Sequence, residues 1–254
     1  ESAVLDAAGM GKCGLVCLSV RSAWDLLLQV LAWPAGSEVI VSAITHPDMI
    51  TIIRAHGLVP VPVDLDMTTL APALADLEGV VTERTRGVLV VHLFGGRLDL
   101  APISAFCRRH DLMLIEDSAQ TFTGRDSLAP TGAASNPGGT PPEPPGGDVS
   151  MISFGMIKTA SAVGGALVSV IDTELLSSMR KEQAGWPALG RVAYAARVFK
   201  AGLLAIFATV LYLGPNVDHP RWHGLAPALA EISLPPLPEQ VPAKTVPYYL
   251  RHLF

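Results

Sequence analysis

Lys158 lies five residues after Ser153 in "SFGMIKTASAVGG", a short polar stretch between two apolar runs. Before it, "DVSMISF" alternates as a half-buried strand does, and after it "GGALVSV" reads as another strand. A primary amine in such a loop is commonly a solvated charge. It becomes a nucleophile or proton carrier only when neighbours hold it beside a reacting carbon. In an open α/β sheet, ligands bind beyond the carboxyl ends of the strands, so polar residues that close apolar runs matter most. This chain has a series of them: Ser19 after "GLVCL", Thr45 and His46 after "EVIVSAI", and His92 after "GVLVV". Asp117 after "LMLIE", Ser153 and Lys158 complete the set. Asp117 carries the most information, because an unpaired buried carboxylate is costly and calls for a cationic or donor partner. Capping of the following segment is the alternative reading of that residue.

The elements that must position these residues are visible from Gly14 to Val170. "GLVCL" is followed by "SAWDLLLQVL", and "EVIVSA" by "MITIIRAHG". "LVPVPVDL", "GVLVVHL" with "ISAFCRRH", and "LMLIEDS" continue the alternation. Short, nearly continuous Val/Ile/Leu runs between helical patterns predict an α/β domain. Its sheet is expected to be mostly parallel, with helices on both faces. "GMGKCG" matches a dinucleotide-binding spacing, yet the strand-like "LVCLSV" follows it where a helix is required. No phosphate-loop, serine-elbow or zinc-protease motif occurs, and Cys13 and Cys17 lack a second ligand pair, so no metal is expected.

Composition narrows the function classes. Half of the 254 residues are hydrophobic and 16% are charged, with a net charge of −5, which disfavours a nucleic-acid surface. The sparse cysteines, Cys13, Cys17 and Cys107, point to a reducing, cytoplasmic setting. Residues 128–147 hold six prolines and five glycines and read as a flexible insertion. A large domain over 1–183 is therefore expected, followed by a helical and proline-rich segment over 184–254. Within that segment, "AGLLAIFATVLYL" (201–213) is too short to span a bilayer, which takes about 20 residues as a helix. It reads as a buried helix. A helix lying on a membrane surface, with Arg197 and Lys200 at its start, is the alternative.

"VHLFGG", "LIEDSAQ" and "GDVSMISFGMIKTASAVGGALVSV" together resemble the DegT/DnrJ/EryC1/StrS family of pyridoxal-phosphate sugar aminotransferases, over about Gly14 to Val170. The resemblance implies a fold type I large domain and pyridoxal 5'-phosphate as cofactor. It makes Lys158 the lysine that joins the cofactor aldehyde, and Asp117 the partner of the protonated pyridine nitrogen. Gln120 then contacts the ring's oxygen side, Ser153 the phosphate, and His46 stacks on the ring. The turn "SVRSA" corresponds to the family's phosphate cradle, with Val20 and Arg21 in place of a small Gly–Thr pair. His92 is either a substrate contact or a satisfied core histidine.

The implied reaction moves an amino group from an amino acid, glutamate foremost, to a nucleotide-linked keto-sugar in a homodimer. Lysine rather than histidine at position 158 disfavours the deoxygenating dehydratase branch of the family. The family continues into a small C-terminal domain that 184–254 does not visibly supply, so the chain alone is not expected to turn over sugars. An inactive binding or regulatory protein, and a membrane-surface enzyme acting on a lipid-linked sugar, are the alternatives.

Overall fold

A computed structural model describes residues 13–122, 146–155, 158 and 160–213, with the backbone alone at 205 and 207–213. The chain divides into two units, Glu1–Trp186 and Pro187–Phe254.

The first unit is built on a seven-stranded sheet. Its strands are β1 (Gly14–Cys17), β2 (Glu38–Ser42), β3 (Val59–Val63), β4 (Thr85–Val91), β5 (Met113–Asp117), β6 (Val149–Ser153) and β7 (Ala166–Val170). The spatial order is β1-β7-β6-β5-β4-β2-β3. The pairs β3–β2, β2–β4, β4–β5 and β5–β6 are parallel, whereas β7 runs antiparallel to both β6 and β1. The carboxyl ends of β1, β2, β4, β5 and β6 therefore share one edge. All seven strands coincide with apolar runs of the sequence. β3, "VPVPV", tolerates Pro60 and Pro62 because it is an edge strand, where a missing N–H can face away from the ladder.

The helices of this unit are α1 (Val20–Leu31), α2 (Pro47–Ala55), α3 (Leu74–Val80), α4 (Ala101–Arg109) and α5 (Thr173–Gln183). α1 starts where Ser19 and Ser22 form a reciprocal capping box, and ends at Ala32, which adopts φ 47° just before Pro34. Pleating divides the sheet's side chains between two cores. Ile40, Val88 and Val90 point to the face covered by Leu77 of α3 and by Ile103 and Phe106 of α4. Val39, Val41 and Leu89, equally buried, occupy the alternate positions. α1 packs against α2, α5 and strands β6 and β7. α5 is capped by Asp172, with Glu174 in its first turn and Arg180 and Lys181 in its last, whereas α3 has no side-chain cap.

The expected insertion needs correction at its end. Gly146 and Gly147 are buried, and the Gly147 N–H donates to Glu116 Oε1 inside the core. A Cβ on Gly147 would lie 2.8 Å from Glu116 Cγ and from the Leu114 carbonyl oxygen, so glycine is required there. The rest of 128–147, and the tail from Gly214, lie outside the described residues.

In the second unit, α6 (Arg191–Leu213) is one helix of 23 residues. The apolar run 201–213 is its carboxyl-terminal part. The expected burial of that run does not hold at its described apolar side chains Leu203 and Ile206, which are exposed, as are Val192 and Phe199 before them.

Candidate active site

The polar residues singled out in the sequence converge on the carboxyl edge of the sheet. Asp117 is the last residue of β5, hydrogen-bonded between β4 and β6. Only 5% of it is exposed. Its Oδ1 accepts the Ala119 N–H at 3.0 Å, and among the described residues no cation lies within ion-pair distance of it. Burial pushes its carboxyl above the usual carboxylate range, opposed by the Ala119 N–H and by the charge of Lys158. A buried acid so placed fits a cationic partner that none of the described residues supplies.

Lys158 and Ser153 are brought to the same edge by the β6–β7 connection. Ser153 Oγ accepts the Gly155 N–H at 3.3 Å, and the Lys158 N–H donates to the Gly155 carbonyl at 3.1 Å. Gly155 lies between the two side chains, since a Cβ there would fall 3.5 Å from Ser153 Oγ and 3.8 Å from Lys158 Cγ. Val163, Gly164 and Gly165 all have positive φ, a path that two glycines make affordable. The Gly165 N–H donates to the Leu18 carbonyl at 2.9 Å, which ties this loop to the β1–α1 turn.

That turn presents the amino terminus of α1. Ser19 caps the helix, and Val20 and Arg21 are its first two residues. Val20 is buried. Arg21 Nη1 bonds Asp48 Oδ2 at 2.6 Å. Asp48 is wholly buried in the first turn of α2, and its Oδ1 has no hydrogen-bond partner among the described residues. His46 caps α2: its Nδ1 accepts the Asp48 N–H at 3.2 Å, and its ring stays 61% exposed. Thr45 Oγ1 beside it is buried without a partner. The sequence alone does not single out Asp48, because an acid after His-Pro at a helix start reads as an ordinary first-turn carboxylate.

Gln120 is exposed beyond β5, where its Oε1 accepts the Phe94 N–H at 3.1 Å. Phe94, at φ 55° in the turn after β4, is 80% exposed.

His92 is corrected as a substrate contact. It is fully buried, its Nδ1 accepts the Leu98 N–H at 3.1 Å, and its Nε2–H donates to Glu116 Oε2 at 3.0 Å. Both ring nitrogens are spent inside the core, so of its two readings the satisfied core histidine holds. Glu116 is its wholly buried partner; it and Asp117 point to opposite faces of β5 by the strand's two-residue period. Among the described residues no group of three or more His, Cys, Asp or Glu side chains is arranged to hold a metal ion.

Among the known proteins similar to this chain are enzymes named for sugar substrates or products. GDP-perosamine synthase of Caulobacter vibrioides is 31% identical over 71% of this chain and 45% of its own length. UDP-N-acetyl-3-dehydro-alpha-D-glucosamine 3-aminotransferase of Acidithiobacillus ferrooxidans is 33% identical over 71% of this chain and 46% of its own. The chain thus spans less than half the length of these two curated relatives. The crystal structure of an aminotransferase from Psychrobacter cryohalolentis superimposes with a TM-score of 0.57 at 28% identity, over 70% of this chain and 42% of that one. Residues 1–184 match the DegT/DnrJ/EryC1/StrS aminotransferase family, and the chain belongs to it.

Proposed function

We propose that this chain is the cofactor-binding part of a pyridoxal 5'-phosphate-dependent aminotransferase that moves an amino group from an amino acid, glutamate foremost, to a nucleotide-linked keto-sugar. The observation that carries the reading is Asp117, a buried carboxylate at the carboxyl end of a central strand with no ion-paired cation among the described residues, and with the Lys158 loop on the same edge. The cofactor, when bound, supplies an electron sink for the charge that develops at the substrate's α-carbon.

The residues present fit that group. Asp117 would hold a protonated ring nitrogen, and the pairing would offset the cost of its own burial. The amino terminus of α1, with Arg21 and the Ser153 hydroxyl, would hold the phosphate, since a helix start and a guanidinium both favour negative charge. His46, exposed and anchored through Nδ1, would lie against the ring, and Gln120 would contact its oxygen side. The Lys158 amine would bind the cofactor carbon. Once displaced, it would take the proton from the donor's α-carbon and return it on the other side of the transfer. Val20 would narrow the cradle relative to a glycine, and Arg21, while paired with Asp48, would add a guanidinium beside it. A homodimer and a closing domain would complete the site, and both are proposed from the family alone.

Borohydride reduction of the protein mixed with pyridoxal phosphate, followed by peptide mapping, tests this reading. The pyridoxyl label is expected on Lys158. Label mainly on Lys12, Lys181, Lys200 or Lys244 would refute it.

A further inference from the structure

The unit that follows the sheet domain carries an apolar surface that aminotransferase chemistry does not use. Along α6, Val192, Ala196, Phe199, Leu203 and Ile206 recur at spacings of four, three, four and three residues. Residues so spaced on a helix share one stripe. All five are exposed: Val192 by 85%, Phe199 by 69%, Ile206 by 63% and Leu203 by 51%, with Ala196 beside them. The half-buried side of the helix instead holds Ala193, Arg197, Ala201 and Leu204. Val210 and Leu213 continue the same spacing in the sequence.

Charge decides what suits this stripe. Residues 191–213 include Arg191, Arg197 and Lys200 but no Asp or Glu, in a chain whose net charge is −5. Arg191 and Lys200 are exposed, and each lies about a quarter-turn from the stripe on the helical wheel, one on either side. The spacing also suits a second copy of the helix, but that copy brings the same basic residues and no carboxylate to meet them. An anionic lipid surface supplies the missing negative charge and takes the apolar stripe at the same depth. No described helix is long and apolar enough to cross a membrane, and a one-sided stripe needs only to lie on one.

We propose that α6 docks this protein on an anionic membrane surface, with Phe199, Leu203 and Ile206 in the acyl boundary and Arg191 and Lys200 at the headgroups. Flotation of the full 254-residue chain with phosphatidylcholine vesicles, with and without an equal part of phosphatidylglycerol, tests it. The protein is expected to float with the mixed vesicles and to stay behind with phosphatidylcholine alone. Phe199→Glu with Leu203→Glu should weaken partition by about tenfold or more. Lys200→Ala should weaken it about fivefold, on the anionic vesicles only. Lys200 lies outside the stripe, so this variant keeps the test decisive if the glutamates disturb the helix. Failure to float with mixed vesicles, equal binding to neutral ones, or wild-type partition by these variants would overturn the proposal. So would glutamate variants that dissociate a lipid-free oligomer in light scattering while vesicle binding persists, because the stripe would then belong to a second copy.

Discussion

Arg21→Ala and Asp48→Asn remove opposite halves of one ion pair, and the structure predicts unequal costs. Asp48 is wholly buried and its Oδ1 already lacks a partner among the described residues, so its Oδ2 bond to Arg21 at 2.6 Å carries most of its compensation. His46 Nδ1 lies 3.6 Å from the same oxygen but accepts the Asp48 N–H, so it donates nothing there. Arg21→Ala therefore strands a buried charge, at a cost of about 3–5 kcal/mol. Asp48→Asn keeps the volume and leaves a guanidinium whose side chain is 29% exposed and can turn to water. Its cost should be about 1–2 kcal/mol. Adding Asp48→Asn to Arg21→Ala should restore stability, because the stranded charge is removed.

Urea titration followed by tryptophan fluorescence, to which Trp24 contributes with three other tryptophans, is a suitable assay. Trp24 is fully buried and its indole N–H bonds the Met49 carbonyl at 3.2 Å, one residue from Asp48. If Arg21→Ala costs no more than Asp48→Asn, or if the double variant is less stable than Arg21→Ala, the argument fails. A second readout addresses the site itself. If Arg21 holds the phosphate, Arg21→Ala should lower affinity for pyridoxal phosphate roughly tenfold more than affinity for pyridoxal. An equal loss for both ligands would leave Arg21 a purely structural role.

Two further outcomes follow from buried groups elsewhere. Hydrogen bonds from Thr82, then Arg84 and Thr85, hold the Glu38 carboxyl below its ordinary value of 4.5 despite burial. The unfolded chain then takes up the proton first, so this stability is complete above pH 4.5 and is lost as pH falls below it. Glu38→Gln should flatten the pH dependence of the urea midpoint in that range, and an unchanged slope would refute the assignment. Burial foremost, with Asp148 nearby, pushes the Cys107 thiol up to about 12, and Cys17 is buried too, whereas Cys13 is exposed. The native protein at pH 8 should therefore show one thiol reacting quickly with a disulfide reagent and all three only in denaturant (about pH 8, well below the thiol of Cys107). Rapid reaction of Cys107 would show that α4 does not hold it in the core.

How much was legible in the sequence depended on the range of the interaction. Period and composition are local, so the seven apolar runs became seven strands, and Asp117 and Lys158 could be assigned to the carboxyl edge before any contact was known. The family blocks also lie along the chain, which is why the resemblance and the expected α/β fold agree with the family match over residues 1–184. Partner choice across the chain is a different matter. That Arg21 is held by Asp48, 27 residues on, and that His92 is satisfied by Glu116, 24 residues on, is decided by which loops the sheet order brings together. Periodicity could not tell a histidine spent in the core from one facing a ligand, since both follow the same strand. Nor could it tell whether the apolar stripe of α6 is covered, because a helix of given pattern is buried or exposed according to what packs on it. The sequence by itself determines the elements and the edge where the site forms. The pairing of buried charges, and the exposure of the helix beyond the sheet, exist only once the chain has folded.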